Sequence, residues 1–139
     1  MRVTFHYSDI AFRVKQATLH KEWLLALIRS EGRKCGKIDY VFVSDRELLQ
    51  MNQQFLSHDT YTDIITFDYT EGNVLNAEIY ISLDRVKENS EKMKISFAEE
   101  CRRVMAHGVL HLCGYKDKKY EHAKVMRSKE DHYLKKFRP

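Results

Sequence analysis

The sequence predicts an α/β protein of the mixed α+β type, with a small four-stranded sheet packed with about five helices. Three observations predict it. Short stretches rich in β-branched and aromatic residues alternate with polar ones. Two Ser-x-x-Glu boxes open segments of helical period. Between the last two strand-like stretches lies only a turn-like Glu71-Gly72-Asn73, so these two form a hairpin and the sheet is mixed, not all parallel.

Val3, Phe5 and Tyr7 alternate with Thr4, His6 and Ser8, which predicts a first strand with one buried face. Residues 11–30 read as a helix, with Leu19, Trp23, Ala26 and Leu27 at helical spacing. Gly32 and Gly36 flank a turn, and Ile38 to Val43 is a second strand. Ser44-Asp45-Arg46-Glu47 is a capping box that opens a helix running to about Phe55. Ile64 to Tyr69 is a third strand, with Ile65, Phe67 and Tyr69 on one face, and Ala77 to Ser82 is a fourth. A short helix starts near Leu83. Ser96-Phe97-Ala98-Glu99 is the second capping box and opens the next helix. A last helix covers roughly Lys118 to Phe137, with Val125, Leu134 and Phe137 as its buried side.

At 139 residues this is a single domain, 1–139, with enough chain to build a core. No apolar run approaches the ~18 residues that would span a membrane. The start of the chain alternates like a strand and lacks a signal-peptide core. Cys35, Cys101 and Cys113 are an odd count without C-x-x-C spacing, so they read as reduced thiols of a cytoplasmic protein.

The chemistry concentrates in Met105-Ala106-His107-Gly108-Val109-Leu110-His111-Leu112-Cys113-Gly114-Tyr115-Lys116-Asp117. His107 and His111 stand four apart, which places both imidazoles on one face of a helix. Gly114 follows where a left-handed residue ends a helix. The chain can then return, and Asp117 can approach the imidazoles from outside. Two imidazole nitrogens and a carboxylate oxygen, with a position open to water, are the catalytic form of a zinc site. Val104, Met105, Ala106, Val109, Leu110, Leu112 and Cys113 make the helix apolar almost all round, so it is expected to be buried. Two core histidines satisfied by hydrogen bonds are the other reading of the pair. The register also matches the zinc-peptidase pattern H-E-x-x-H-x-x-G-x-x-H, except that the general base of that pattern is Gly108 here, which cannot take a proton.

His107-Gly108-x-Leu110-His111-Leu112-x-Gly114-Tyr115 resembles the H-G-x-L-H-L-x-G-Y-D-H signature of the YbeY family of bacterial endoribonucleases. Met51-Asn52-Gln53-Gln54-Phe55 and Thr62-Asp63-Ile64-Ile65-Thr66-Phe67 resemble a second stretch of that family, so the likeness covers most of the chain. It implies a small mixed sheet with helices, one divalent metal, zinc, on His107, His111 and Asp117, and cleavage of single-stranded RNA. It further implies maturation of small-subunit ribosomal RNA, ribosome quality control, and contact with ribosomal proteins or an assembly GTPase. Three positions depart. The family's third metal-binding His is Asp117, whose charge makes a bound water a weaker acid and shifts preference toward harder metals. The family's Arg, often proposed to act on RNA phosphate, falls on Leu56. Its Pro falls on Tyr61.

His58, at the family's Lys position, is either a phosphate contact or a solvated loop histidine. Asp63 either orients a ligand His or makes an Asx-turn. Residues 116–139 carry nine Lys and Arg against four Asp and Glu, a net of plus five, while the whole chain carries plus four. The basic stretch starts at the motif, with Lys116, Lys118 and Lys119, and suits a phosphodiester beside a metal. A solvated helix face is its bland alternative. The expectation is a metal-dependent endoribonuclease acting on ribosomal RNA precursor. Its rivals are an RNA-binding assembly factor with little or no nuclease activity and a zinc metallopeptidase.

Overall fold

The alternation along Val3, Phe5 and Tyr7 builds β1 (Arg2–Tyr7), the first element of a computed structural model that describes residues 2–56 and 62–138. There follow α1 (Ala17–Ser30), β2 (Lys34–Val43), α2 (Asp45–Leu56), β3 (Ile64–Asp68), β4 (Val74–Ser82), α3 (Leu83–Met93), α4 (Phe97–Leu112) and α5 (Tyr120–Leu134). The sheet order is β1-β2-β4-β3. β1, β2 and β4 run parallel, and β3 runs antiparallel to β4. This is the expected mixed four-stranded sheet with five helices.

Period-2 alternation sorts the strand residues onto two faces. One face, with Val3, Ile38, Tyr40, Phe42, Ala77, Ile79 and Ile81, meets Leu24, Leu27 and Ile28 of α1 and Met105, Val109 and Leu110 of α4 in the main core. The other face carries Val43 and Ile65, which pack with Leu48 of α2 in a smaller cluster. α4 is pinned over the sheet by a buried tyrosine, since the hydroxyl of Tyr40 donates to the carbonyl of Met105 at 2.7 Å. That contact lies two residues before His107. On the far side of α1, Trp23 Nε1–H donates to Tyr133 O at 2.8 Å and ties α5 down.

Both serines cap their helices as read. Glu47 N–H donates to Ser44 Oγ at 3.2 Å, and Glu99 N–H donates to Ser96 Oγ at 3.1 Å.

Three expectations are corrected. The first helix starts at Ala17, not at residue 11. Ile10, Phe12 and Val14 alternate, and all three pack onto the core from an extended segment that ends at Gln16 in a left-handed conformation, φ 54°. Gly36 lies inside β2, not at the end of a turn. The β2–β4 register shifts between Cys35 and Ile38, and there the side chain of Asn76 turns across to accept from Lys37 N–H at 2.9 Å. A Cβ on Gly36 would sit 2.3 Å from Asn76 Oδ1 and 2.9 Å from the Leu75 carbonyl. The buried side of α5 is Met126, Glu130 and Tyr133, continued by Phe137, while Val125 is exposed. Phe137 is buried as expected, Met126 takes the inner position expected of Val125, and Glu130 puts an acid on the inner face.

Gly36→Ala should lower the unfolding free energy by about 1–3 kcal/mol, because the backbone carbonyl of Leu75 cannot move aside as a side chain can. The shift of the urea midpoint, at unchanged slope, measures it.

Candidate metal centre

Counted back from His111, one stripe of α4 carries His107, Arg103 and Glu100 at helical spacing. These side chains form a wall of an open cleft of about 830 Å³. The strand β3 and residues 62 and 63 before it form the facing wall, α3 contributes Asn89 and Lys92, and α5 contributes Arg127 and Glu130. Apart from His107 and His111, every residue of α4 from Arg103 to Leu112 is buried. His107 is only part-buried and His111 is exposed, so the pair faces the cleft and not the core. That corrects the expectation of two buried imidazoles.

His107 is held at both ring nitrogens. Nδ1 lies 2.7 Å from Glu130 Oε2, and Nε2 lies 3.1 Å from Asp117 Oδ2. With its proton on Nδ1, the imidazole donates to Glu130 and presents the Nε2 lone pair to the cleft. The His111 ring lies parallel to that of His107, 6° off, with centroids 6.3 Å apart. Burial works against the charged form of His107, but the Glu130 carboxylate outweighs it, with Asp117 and Asp63 adding, so its pKa rises above the ordinary value.

Glu130 is 4% exposed. A carboxylate so buried needs partners. It accepts from Arg103 Nη1 at 3.0 Å as well as meeting His107, and Arg103 Nη2 donates to Asp131 Oδ1 at 2.7 Å. Nearby, burial pushes the Glu100 carboxyl up to about 7, against the opposing charge of Arg103.

Asp117 reaches His107 because the chain turns sharply after α4. Gly114 takes φ 104°, its N–H donates to His111 O at 3.0 Å, and Tyr115 N–H donates to Leu110 O at 3.2 Å. The turn is then anchored to the end of α1. Tyr115 hydroxyl donates to Glu31 Oε1 at 2.7 Å, Lys129 Nζ to Glu31 Oε2 at 3.1 Å, and Tyr133 hydroxyl also donates to Oε2. Arg33 Nη2 donates to Cys113 O at 3.0 Å. Burial would raise the Glu31 pKa, but the two hydroxyls and Lys129 outweigh it and hold the carboxyl below its usual value.

Asp63 lines the same cleft, accepts from Asn89 Nδ2 at 3.3 Å, and has its carboxyl pushed up by burial against the pull of His107. The carboxylate that orients His107 is Glu130, not Asp63. Of the basic residues singled out, Lys118 lines the cleft, whereas Lys116 and Lys119 are exposed and stand outside its walls. His58 and Tyr61 lie outside the described residues. Cys113 ends α4, and burial pushes its thiol up to about 11. Sequence reasoning missed Glu130, Arg103, Glu100, Asn89, Lys92 and Glu31. The α4 stripe was legible from the spacing back from His107. Glu130 was legible only through the Met126–Tyr133–Phe137 phase of α5.

The donors suit a divalent cation. Glu130 stands on Nδ1 of His107 where an orienting carboxylate would stand on a metal-ligating imidazole, and Nε2 faces Asp117. Among the described residues, no three such side chains converge at ligand distance. His107 and Asp117 touch, and exposed His111 stands one turn along. Among the acids that line the cleft, Glu100 and Glu130 are buried, while exposed Lys92, Lys118 and Arg127 form a cationic rim. Gly108 has a packing role: a Cβ there would lie 3.1 Å from Ile79 Cδ1 and 3.2 Å from Ile64 Cδ1. A glutamate at that position has no room toward the sheet.

A family model described as endoribonuclease YbeY matches residues 3–138. The endoribonuclease YbeY of Flavobacterium psychrophilum is 48% identical over 135 residues, covering 97% of this chain and 96% of its own. That of Bacteroides fragilis is 45% identical over 134 residues, with 96% of each chain covered. The solution structure of TM1509 from Thermotoga maritima is similar at a TM-score of 0.66 and 30% identity, covering 98% of this chain and 87% of that one. No helix among the described residues is long and apolar enough to cross a membrane.

Glu31→Gln should destabilise the fold by about 1.5–3 kcal/mol at pH 7, the range for hydrogen bonds to a charged group. The folded pKa is depressed, so the contribution is complete above the unfolded value and is lost as pH falls through the folded one. Urea unfolding at pH 7, 5 and 4 should show the gap between the two proteins closing toward the acid end.

Proposed function

The chain belongs to the endoribonuclease YbeY family, and on that premise we propose that it is a metal-dependent endoribonuclease that cuts single-stranded RNA during maturation of small-subunit ribosomal RNA, acting as one domain over residues 1–139. The observation that carries this reading is the doubly held imidazole of His107, between buried Glu130 and Asp117, in a cleft with a cationic rim. The same family likeness supports a cytoplasmic role in ribosome quality control, with ribosomal RNA precursor as substrate and ribosomal proteins or an assembly GTPase as partners.

His107, His111 and Asp117 would hold the ion, taken to be zinc, with Asp117 in place of the family's usual third His. When bound, a divalent cation polarises a phosphoryl oxygen and lowers the pKa of water. The protein's own residues do the rest. Glu130 accepts the Nδ1 proton, which fixes the tautomer and ring plane of His107. Arg103 balances the charge of Glu130, so the buried acid is not left alone. Gly114 and the Glu31 anchor bring Asp117 to Nε2. Lys92, Lys118 and Arg127 attract phosphate along the rim. They supply positive charge in a chain whose Leu56 stands at the family's Arg position. The rim favours RNA over a peptide, and the crowding at Gly108 argues against a peptidase base there.

His107→Ala and His111→Ala should lose bound metal while keeping the fold, and Asp117→Ala should weaken metal affinity about tenfold or more. Asp117→His should favour zinc. Elemental analysis and chelator competition read these, with a thermal melt as the fold control. Metal at wild-type stoichiometry in both His variants would remove the three-ligand site. A single-turnover cleavage assay on ribosomal RNA precursor, with chelator and after metal is returned, tests the activity. RNA bound but never cut would favour the assembly-factor reading.

Replacing Lys92 and Lys118 together by Gln should reduce the slope of log affinity against log salt by about one to two units. The same change at Lys116 and Lys119, off the cleft, should leave the slope alone. Fluorescence anisotropy of a labelled oligomer at several salt concentrations measures both, and equal effects of the two pairs would place the RNA elsewhere.

A further inference from the structure

β3 is the edge strand of the sheet on the cleft side, and its backbone register decides which groups face the cleft. Tyr69 N–H donates to Asn76 O at 2.8 Å, and Ser82 N–H donates to Asp63 O at 3.0 Å. In an antiparallel ladder, pairs that exchange hydrogen bonds recur at every second residue. Asp63, Ile65, Phe67 and Tyr69 are therefore the positions bonded to β4. The N–H and C=O of Ile64 and Thr66 point the other way, off the edge and into the cleft that residues 62–66 line. Thr62 Oγ1–H donates to the Ile64 carbonyl at 3.3 Å. What faces the cleft is then Ile64 N–H, Thr66 N–H and Thr66 C=O. The edge runs beside the motif, because Gly108, one residue after His107, packs against Ile64.

A donor and an acceptor side by side on Thr66 match the hydrogen-bonding edge of a nucleobase. The opposite rim carries Lys92, Lys118 and Arg127, which match phosphates. We propose that the outer edge of β3, at Ile64 and Thr66, hydrogen-bonds unpaired base edges of the RNA and thereby selects single strands, an inference that rests on the endoribonuclease reading above. In a duplex the Watson–Crick edges are already paired, and the deep, narrow major groove of A-form RNA keeps the bases' other hydrogen-bonding edges there out of reach of a strand edge. With bases on β3 and phosphates on the cationic rim, the sugar-phosphate backbone crosses the cleft at His107 and Asp117. An extended peptide can also pair with a free strand edge, but its backbone lacks the phosphate at every unit that the cationic rim matches.

The test is hydrogen exchange by NMR on the full, metal-loaded chain with a single-stranded 2′-O-methyl oligonucleotide. On saturation, exchange at the Ile64 and Thr66 amides should slow about tenfold or more, while the inward amides of Ile65 and Phe67 keep their rates. A duplex of the same sequence should not slow Ile64 or Thr66. Thr66→Pro removes an N–H on the free side of an edge strand, where proline is tolerated. It should weaken single-strand binding about fivefold to tenfold, the worth of one hydrogen bond, at unchanged metal content, and Thr66→Ala should not. An oligonucleotide that binds without protecting Ile64 and Thr66, or a peptide that protects them where the oligonucleotide does not, overturns the proposal and leaves the nuclease reading standing. An oligonucleotide that fails to bind at all overturns both.

Discussion

Glu130 is the constraint on which the cleft face of this protein depends. A carboxylate 4% exposed at the α4–α5 contact can be kept only with cationic or N–H partners on the facing helix. Arg103 and His107, four residues apart on α4, meet it together. One interaction thus docks α5, orients the imidazole and brings the cationic Arg127 to the cleft edge. It also explains why a helix with a weakly apolar face can pack at all. α5 is stapled by Met126 and Tyr133 on either side of Glu130, by Phe137 just beyond its end, and by the polar partners of Glu130 itself. Replacing such a set by apolar residues is often neutral for stability. Retaining it makes sense for a site that needs one tautomer of His107 at one angle.

A second constraint acts at longer range. Asp117 belongs to no element, and nothing in its own neighbourhood would hold it at His107. The turn is set by Gly114 and then fixed through Tyr115 to Glu31, which ends α1. Lys129 and Tyr133 of α5 meet the same carboxylate. So the elements that grip His107 also grip the segment bearing Asp117, and the two approach one another as parts of one frame. The reversal of β3 has a similar consequence. An antiparallel edge strand turns alternate backbone groups toward the cleft, where a buried parallel strand would have spent them on neighbours.

Much of the frame was legible along the chain. The four strands, the two Ser-led caps and the i,i+4 histidines are local patterns, and local patterns follow from backbone periodicity and side-chain size alone. The hairpin between β3 and β4, and hence the mixed sheet, followed from the short connection at Glu71-Gly72-Asn73. The misreadings were local too. Residues 11–16 share apolar content with the helix after them, and only the packing of Phe12 onto Tyr7, Phe42 and Phe97 shows that the helix has not yet begun there. Gly36 looks like a turn residue until Asn76 is seen lying across it.

What the sequence determined by itself is the face of α4 that bears His107 and His111, and the return of the chain that lets Asp117 come near. The tertiary structure decided which acid holds His107, which lysine reaches the cleft, and which backbone groups of β3 are free. The reason is dimensional. Spacing along a helix sets neighbours three and four residues away, whereas Glu130 lies 23 residues from His107 and Glu31 lies 84 from Tyr115. Contacts that distant depend on how α4, α5 and the sheet pack together. That packing comes from the whole apolar pattern at once, and no single stretch of the chain contains it.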